Sequence, residues 1–249
     1  MIPQWFKNYF FSLRAFYQTS SLLLPWLIAA FSVCFIYGLA GGLFLAPADY
    51  QQGDAFRIIY VHVPAALTAM AVYSIMAMSG LMVLVFRMKI AAICMTCSAQ
   101  IGVWFTFLAL VTGSIWGKPM WGTWWIWDAR LTSVLVLFFL YLGFIILHSV
   151  LPNNSGRDRA CAILAVVGVI NLPVIHYSVI WWNTLHQGPT ISKFARPSIA
   201  PAMLHPLLAM IAAFLLFYGI ILLTRMRNEI LLREIKSQWI KEEFSHELA

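Results

Sequence analysis

Apolar residues fill six long stretches of this chain, and short polar segments separate them. No Asp, Glu, Lys or Arg occurs in 15–48, 58–86, 90–117, 131–156, 160–192 or 197–224, and each of these runs exceeds the roughly 20 residues that span the hydrocarbon core of a bilayer. The pattern predicts an all-α integral membrane protein with six transmembrane helices in a single domain. The expected spans are 22–45, 62–86, 92–114, 131–151, 160–181 and 202–225.

The composition supports the same class of protein. Hydrophobic residues make up 62% of the 249 residues and charged residues 10%, whereas a soluble domain carries about a quarter charged residues. The first span is longer than the core of a signal peptide, so we expect an uncleaved helix. A disulfide framework is not expected, because the cysteines lie within or at the ends of spans, at Cys34, Cys94, Cys97 and Cys161.

Lysine and arginine are distributed unevenly between the two sides of the predicted bundle. Of the 16, five fall on the side of the loops 46–61, 115–130 and 182–201, and the other eleven on the side of the termini. Under the positive-inside rule both termini are therefore cytoplasmic, and the three loops lie outside. The formal net charge of +7 follows from this topology, and no clustered basic stripe indicates nucleic-acid binding.

The last segment, 226–249, mixes charged residues with apolar ones at helical spacing, among them Leu232, Ile235 and Trp239. Such spacing is typical of an amphipathic helix. We expect a cytoplasmic helix that lies on the membrane or on a partner, and a solvated extension of the last span is an equal alternative.

Tryptophans concentrate between the third and fourth spans, where residues 121–132 have the sequence WGTWWIWDARLT. Together with Trp116, this stretch holds five of the chain's 11 tryptophans within 12 residues. An aromatic belt at the membrane interface is the ordinary interpretation. A belt does not need the carboxylate and the arginine that follow, Asp128 and Arg130.

A helical conformation would make this stretch an outer amphipathic segment. Residues at i, i+3, i+4 and i+7 share a helix face, and here they are Trp121, Trp124, Trp125 and Asp128, with Trp127 beside Trp124. Asp128 also suits the start of the fourth helix. A turn out of the third span is favoured by Gly117, Pro119 and Gly122. Such a wall of indoles suits a planar ligand with polar edges, a porphyrin or a quinone, slightly better than it suits a belt.

Two of the six histidines flank this segment. His62 begins the second span in IYVHVP, and His186 follows the fifth span in WWNTLHQGP, so both are expected at the outer surface. A single histidine is more often structural than a ligand. Two at the same depth beside an aromatic wall favour the arrangement in which imidazoles hold haem iron from opposite faces.

The other four histidines support no assignment of their own. His246 is expected in solvent and His148 at the cytoplasmic interface. His176 lies inside the fifth span beside the break expected at Pro173, where a structural role and a functional one are equally consistent. The same two alternatives stay open for His205.

Two arginines are candidates for the edge of such a ligand. Haem carries two propionates, and arginine binds carboxylates through bidentate, charge-assisted hydrogen bonds. Arg57 precedes His62 by five residues, and Arg130 lies beside Asp128. The remaining outer cations are interpreted as ordinary loop charges: Lys118, Lys193 and Arg196.

Together these residues resemble the tryptophan-rich haem-handling proteins of cytochrome c biogenesis. WGTWWIWDARLT is similar to their signature. VHVP, TLHQGP, the six spans and the length of 249 residues are similar to the CcmC branch, haem exporter protein C. The resemblance covers essentially the whole chain, whereas larger relatives that share the segment are much longer or have more spans.

The resemblance implies a protein of the bacterial inner membrane that holds haem b, non-covalently and transiently, at the periplasmic face. The tryptophan segment would cradle the ring, and by motif position His62 and His186 would be the axial ligands. The implied partners are an ATP-binding-cassette (ABC) transporter, a small single-span membrane protein, and a periplasmic haem chaperone that becomes linked to haem through its own histidine.

The leading hypothesis is therefore an assembly factor that binds haem and holds it in position for a partner. We expect a binding and handover device more than an enzyme. The chain has no G-x-x-x-x-G-K-[ST] loop, so any ATP-driven step belongs to a partner. A cytochrome-b-like or quinone-binding respiratory subunit is the alternative, and it would need histidines paired within the membrane. A small-molecule permease ranks last, because paired broken helices are expected there and only the fifth span has a clear break.

Overall fold

The computed structural model describes residues 12–182, 184–186 and 198–245. Within these residues six segments are helical, long and apolar enough to cross a membrane, so the predicted class and number of spans are confirmed. Of the residues discussed above, Lys193, Arg196 and His246 lie outside the described part of the chain.

The helices are longer than the spans that the sequence predicts. A π-helical turn, Gly41–Leu45, extends the first helix, and a 3₁₀ turn, Asp54–Ile58, leads into the second. Hydropathy marks only the part of a helix that lies in hydrocarbon, and the helix continues until a cap or a breaker ends it. The helices are α1 (Leu13–Ala40), α2 (Ile59–Phe86), α3 (Lys89–Trp121), α4 (Ala129–Val150), α5 (Ser155–Gly168), α6 (Asn171–Trp181), α7 (Pro201–Glu234) and α8 (Gln238–Ser245).

Helix α2 lies at the centre of the bundle, in contact with α3, α5 and α7. Across from it, Tyr141 of α4 is fully buried, and its hydroxyl donates a hydrogen bond of 2.8 Å to the carbonyl of Ala69. The tyrosine ring fits because Gly102 of α3 has no side chain: a Cβ there would lie 2.1 Å from Tyr141 Cζ. This close approach holds α4 against both α2 and α3, and these three helices form most of the cavity described below.

The fifth membrane segment consists of two helices. Helix α5 ends at Gly168, and α6 begins at Asn171 after a two-residue turn. Pro173 is the third residue of α6, in the first turn, where the missing N–H of proline removes no intrahelical hydrogen bond. The break that the sequence places beside Pro173 is therefore confirmed, and it lies a few residues earlier.

Helix α1 packs along α7, and the C-terminal segment crosses both near their shared end. The Arg227 guanidinium of α7 lies 3.8 Å from the centre of the Tyr17 ring. Trp239 of α8 packs against the same Tyr17 ring, with 5.8 Å between the ring centroids. The last membrane helix continues to Glu234, and a separate short helix, α8, follows it.

Candidate functional site

A cavity of about 200 Å³ opens at the end of the bundle that carries the tryptophan segment. Helices α2, α3, α4 and α6 and the segment after α6 form its wall, which is mostly aliphatic. The polar and aromatic side chains in that wall are His62, His176, His186, Arg130, Ser114, Trp116, Trp121 and Trp125. Most of the residues singled out from the sequence therefore surround one space.

The two predicted ligand histidines face the same cavity from different parts of the chain. His62 lies in the first turn of α2, and His186 lies in the segment that follows α6. Their ring centroids are 6.4 Å apart, and the ring planes meet at 37°. Two imidazoles more than 120 residues apart in sequence are therefore neighbours, as expected from their predicted depth.

His62 is held against α3. Its Nδ1 lies 3.1 Å from the hydroxyl of Thr112. Gly113, the next residue of α3, adjoins the Cε1 edge of the ring, since a Cβ there would lie 3.0 Å from that atom. The indole of Trp116 packs edge-on at 5.7 Å between centroids.

His186 is connected to the start of α4 through one threonine. Its backbone N–H donates to the hydroxyl of Thr184 at 3.1 Å, and that hydroxyl donates to Oδ2 of Asp128. The other carboxylate oxygen of Asp128 accepts from the N–H of Leu131 at 2.7 Å. Asp128 therefore caps α4, as predicted, and it does not line the cavity. Its contact with the His186 segment is one that the sequence did not indicate.

The tryptophan segment is not a helix of its own, and this corrects the helical interpretation. Helix α3 continues through Gly117 and Pro119 to Trp121 and ends at Gly122, whose φ of +76° is left-handed and suits glycine. Residues 123–128 are irregular, and Asp128 at their end has the extended conformation of a helix N-cap. The predicted i, i+3, i+4, i+7 face therefore does not form.

The five tryptophans divide into two groups as a result. Trp116, Trp121 and Trp125 line the cavity, whereas Trp124 and Trp127 are 57% and 75% exposed. Instead of lying beside Trp124, Trp127 packs edge-on against Trp125, at 5.5 Å between centroids.

The three cavity tryptophans are held differently. Trp116 donates from Nε1 to the side-chain oxygen of Gln52 at 2.9 Å. Trp121 packs against Gly117 and lies 6.2 Å from the His186 ring. Trp125 is different, because its Nε1 is buried and no hydrogen-bond partner in the described chain satisfies it. A buried indole N–H normally has an acceptor, so a ligand that reached this donor would satisfy it.

The two predicted arginines are in different environments. Arg130 lies in the cavity wall; its Nε donates to the Ser178 hydroxyl at 2.9 Å and its guanidinium to the His176 carbonyl at 3.4 Å. Arg57 is not among the cavity residues. It pairs with Asp54 at 2.9 Å and donates to the Gly42 carbonyl at 2.8 Å.

The remaining histidines also have distinct positions. His176 lines the cavity beside Arg130, which favours a role in the site over a purely structural one. His205 is exposed near the start of α7 and does not line the cavity. His148 lies at the opposite end of α4, stacked on Phe144 with 6.4 Å between centroids.

The polar residues that support the site were not singled out from the sequence: Gln52, Thr112, Ser178 and Thr184. Thr112 and Ser178 are hydroxyl residues in apolar helices, and their roles depend on which residues the neighbouring helices bring close to them. Gln52 and Thr184 lie in connecting segments and contact residues 64 and 56 positions away.

Comparison with known proteins supplies the family. The model of the family described as heme exporter protein C matches residues 5–241. The chain belongs to this family. A heme exporter protein C of Escherichia coli (strain K12) is 52% identical over 226 residues, which cover 91% of each chain. That of Haemophilus influenzae is 52% identical over 204 residues, 82% of this chain and 83% of the relative.

More distant members agree over the same region. The heme exporter protein C of Bradyrhizobium diazoefficiens is 47% identical over 222 residues, 89% of this chain and 84% of the relative. The resemblance noted from the tryptophan signature is therefore confirmed, and it extends over the whole membrane bundle.

Proposed function

We propose that this protein binds haem b non-covalently in the cavity between His62 and His186 and presents it to a periplasmic haem chaperone during cytochrome c biogenesis. The observation that carries the proposal is the pairing of these two imidazoles. Membership of a family named heme exporter protein C supports haem as the cargo.

The spacing of the imidazoles agrees with a shared iron atom. Metal–imidazole bonds are about 2 Å long, so the two ligating nitrogens would lie about 4 Å apart, with each ring centre roughly 1 Å further out. The observed 6.4 Å between ring centres is close to that total. Haem brings its own four equatorial nitrogens and takes axial ligands such as histidine from the protein.

The rest of the wall suits a porphyrin. Trp116, Trp121 and Trp125 offer aromatic surface, and the buried Nε1 of Trp125 offers a donor that has no partner in the described chain. Arg130 places a guanidinium in the same wall, where it can bind a propionate. Arg57 is a weaker candidate because its side chain is already paired with Asp54.

The size of the cavity bears on handover. At about 200 Å³ it is smaller than the roughly 300–1,000 Å³ of pockets that enclose a whole ligand. Part of a porphyrin held there would therefore extend beyond the wall. We expect this open edge to be the one that the chaperone's histidine reaches.

The proposed setting is the bacterial inner membrane, with the cavity on the periplasmic side. The excess of Lys and Arg at the other end of the bundle supports this orientation. ABC transporter subunits and a small single-span membrane protein are the proposed partners in the membrane. The contribution of this chain is to hold and align haem, and alignment of two reactants lowers a barrier without further chemistry.

The test is the absorption spectrum of the protein purified in detergent from haem-producing cells. We expect a haem spectrum that His62→Ala or His186→Ala alters or abolishes. His148→Ala is the control, because His148 lies at the opposite end of α4. A double His62→Ala/His186→Ala variant with an unchanged spectrum would contradict the ligand assignment. Handover is measured separately, as covalent labelling of a purified periplasmic acceptor.

A further inference from the structure

The hydroxyl of Thr112 is surrounded by three polar atoms. It lies 2.7 Å from the carbonyl oxygen of Leu108, 3.3 Å from that of Ala109, and 3.1 Å from Nδ1 of His62. The two carbonyls belong to the preceding turn of α3. The side chain of Thr112 is therefore fixed by its own helix before it contacts the histidine.

The number of available protons determines the direction of the contact with His62. A hydroxyl has one hydrogen, and a carbonyl oxygen can only accept. The shorter bond, to Leu108, takes the Thr112 hydrogen, a common arrangement for threonine in membrane helices. The lone pairs of the Thr112 oxygen then face Nδ1, so His62 must be the donor in this hydrogen bond.

We propose that Thr112 is a positioning residue that holds His62 as the Nδ1–H tautomer, with the lone pair on Nε2. In neutral imidazole one nitrogen carries the proton and the other is free to bind a metal. The inference rests on the proposed function, because it assigns Nε2 of His62 as the nitrogen offered to haem iron.

The ring has little freedom to adopt another orientation. Its Nδ1 and Cε1 edge packs on Thr112 and Gly113, and a Cβ at Gly113 would be 3.9 Å from Nε2, farther than from Cε1 at 3.0 Å. Trp116 blocks a third direction. Of the two ring nitrogens, Nε2 is therefore the one farther from Gly113 and outside the Thr112 contact, on a residue that lines the cavity.

A donor bond of this kind strengthens the ligand. A metal-binding histidine whose other N–H is hydrogen-bonded is more basic, and loss of such a partner costs about 10–100-fold in metal affinity. We expect the same range for haem when the Thr112 oxygen is removed. A more basic imidazole favours the ferric iron, so its loss moves the reduction potential to a more positive value.

Three variants of α3 distinguish the effect of the Thr112 hydroxyl from the effect of its packing. Thr112→Val keeps the branched shape and removes the oxygen, and Thr112→Ser keeps the oxygen. Thr106→Val is the matched control, because the Thr106 hydroxyl is buried on the same helix and bonds to the carbonyl of Gly102 at 2.7 Å. Among the described residues, no hydrogen bond joins the Thr106 hydroxyl to a histidine.

The first measurement needs no haem. In protein labelled with ¹⁵N-histidine and reconstituted in lipid, the ¹⁵N shifts report which nitrogen of each ring carries the proton, and His62→Ala identifies the signal. We expect Nδ1–H in the wild type, Thr112→Ser and Thr106→Val, and its loss in Thr112→Val. An Nε2–H tautomer in the wild type, or an Nδ1–H signal unchanged by Thr112→Val, would overturn the proposal.

The second measurement is haem titration and potentiometry on the same four proteins. We expect Thr112→Val to weaken binding about 10–100-fold and to raise the potential, with Thr112→Ser close to wild type. If Thr112→Val binds haem as tightly as Thr106→Val at an unchanged potential, Thr112 is not a positioning residue. If the wild type binds no haem, the proposed function fails, and the ¹⁵N result still decides the tautomer.

Discussion

The hydroxyl of Thr184 donates a hydrogen bond to Oδ2 of Asp128, which joins the segment after α6 to the first turn of α4. The same hydroxyl accepts from the backbone N–H of His186. The aspartate of the tryptophan segment thus acts at a distance from the cavity: it caps α4 through Leu131 and, through Thr184, holds the histidine segment.

Asp128→Ala removes both functions of the carboxylate. Loss of an N-cap costs about 1 kcal/mol, and His186 also loses the anchor of its segment. Asn154→Ala is the matched control, since Asn154 caps α5 through Arg157 and lies away from the cavity. We expect comparable decreases in thermal stability, but loss of haem from Asp128→Ala alone, measured as haem per protein after purification. Equal haem content in both variants would show that Asp128 acts only as a cap.

The sequence predicts the membrane spans well because their signal is local. A charge-free run of more than 20 residues has few alternatives to a transmembrane helix. The cap at Asp128 is also a local signal, and the expectation that this residue begins the fourth helix is confirmed. The same cap excludes Asp128 from the predicted helical face, because an N-cap residue is extended: Asp128 has φ −96° and ψ 171°. One residue cannot both begin α4 as an extended cap and continue a helical face from Trp121.

The two arginines differ in how far the sequence predicts their partners. Asp54 and Arg57 are three residues apart, a spacing that favours an ion pair within one turn, and that pair forms. Arg130 offers no such clue, because its partners on α6, Ser178 and the carbonyl of His176, are more than 40 residues away. Tertiary contacts of this kind cannot be predicted from one sequence.

The cavity tryptophan Trp125 and the exposed Trp127 provide a matched pair of substitutions. Trp125→Phe removes a buried N–H that has no partner in the described chain, and an unsatisfied buried donor costs about 1–3 kcal/mol. We therefore expect little loss of stability in the haem-free protein and a several-fold weaker haem affinity. Trp127→Phe should leave affinity unchanged. The comparison is a haem titration combined with thermal unfolding, and an equal affinity of the two variants would remove Trp125 from the site.

The same substitution at Arg57 and at Arg130 distinguishes their contributions to haem binding. Arg130→Gln removes a charge from the cavity wall, and a hydrogen bond to a charged group is worth about 1.5–3 kcal/mol, or about tenfold or more in Kd. Arg57→Gln breaks an ion pair whose partner Asp54 is largely exposed; such pairs contribute under about 1 kcal/mol. We expect weaker haem binding only for Arg130→Gln, with part of the affinity restored in Arg130→Lys. Equal Kd values for Arg57→Gln and Arg130→Gln would contradict this assignment.

Two glycines test the packing that frames the cavity. Alanine at Gly102 places a Cβ 2.1 Å from Tyr141 Cζ, whereas at Gly143 of α4 a Cβ meets nothing within 4 Å. Both substitutions gain helix propensity, worth about 1 kcal/mol, but overpacking at Gly102 costs about 1–3 kcal/mol and forces Tyr141 to move. We expect Gly102→Ala to lower Tm and Gly143→Ala to leave it unchanged or raise it, measured by thermal unfolding in detergent. Because Tyr141 holds α4 to Ala69 of α2, Gly102→Ala should also weaken haem binding. Equal Tm values for the two variants would show that the packing of Tyr141 on Gly102 does not stabilise the helices around the cavity.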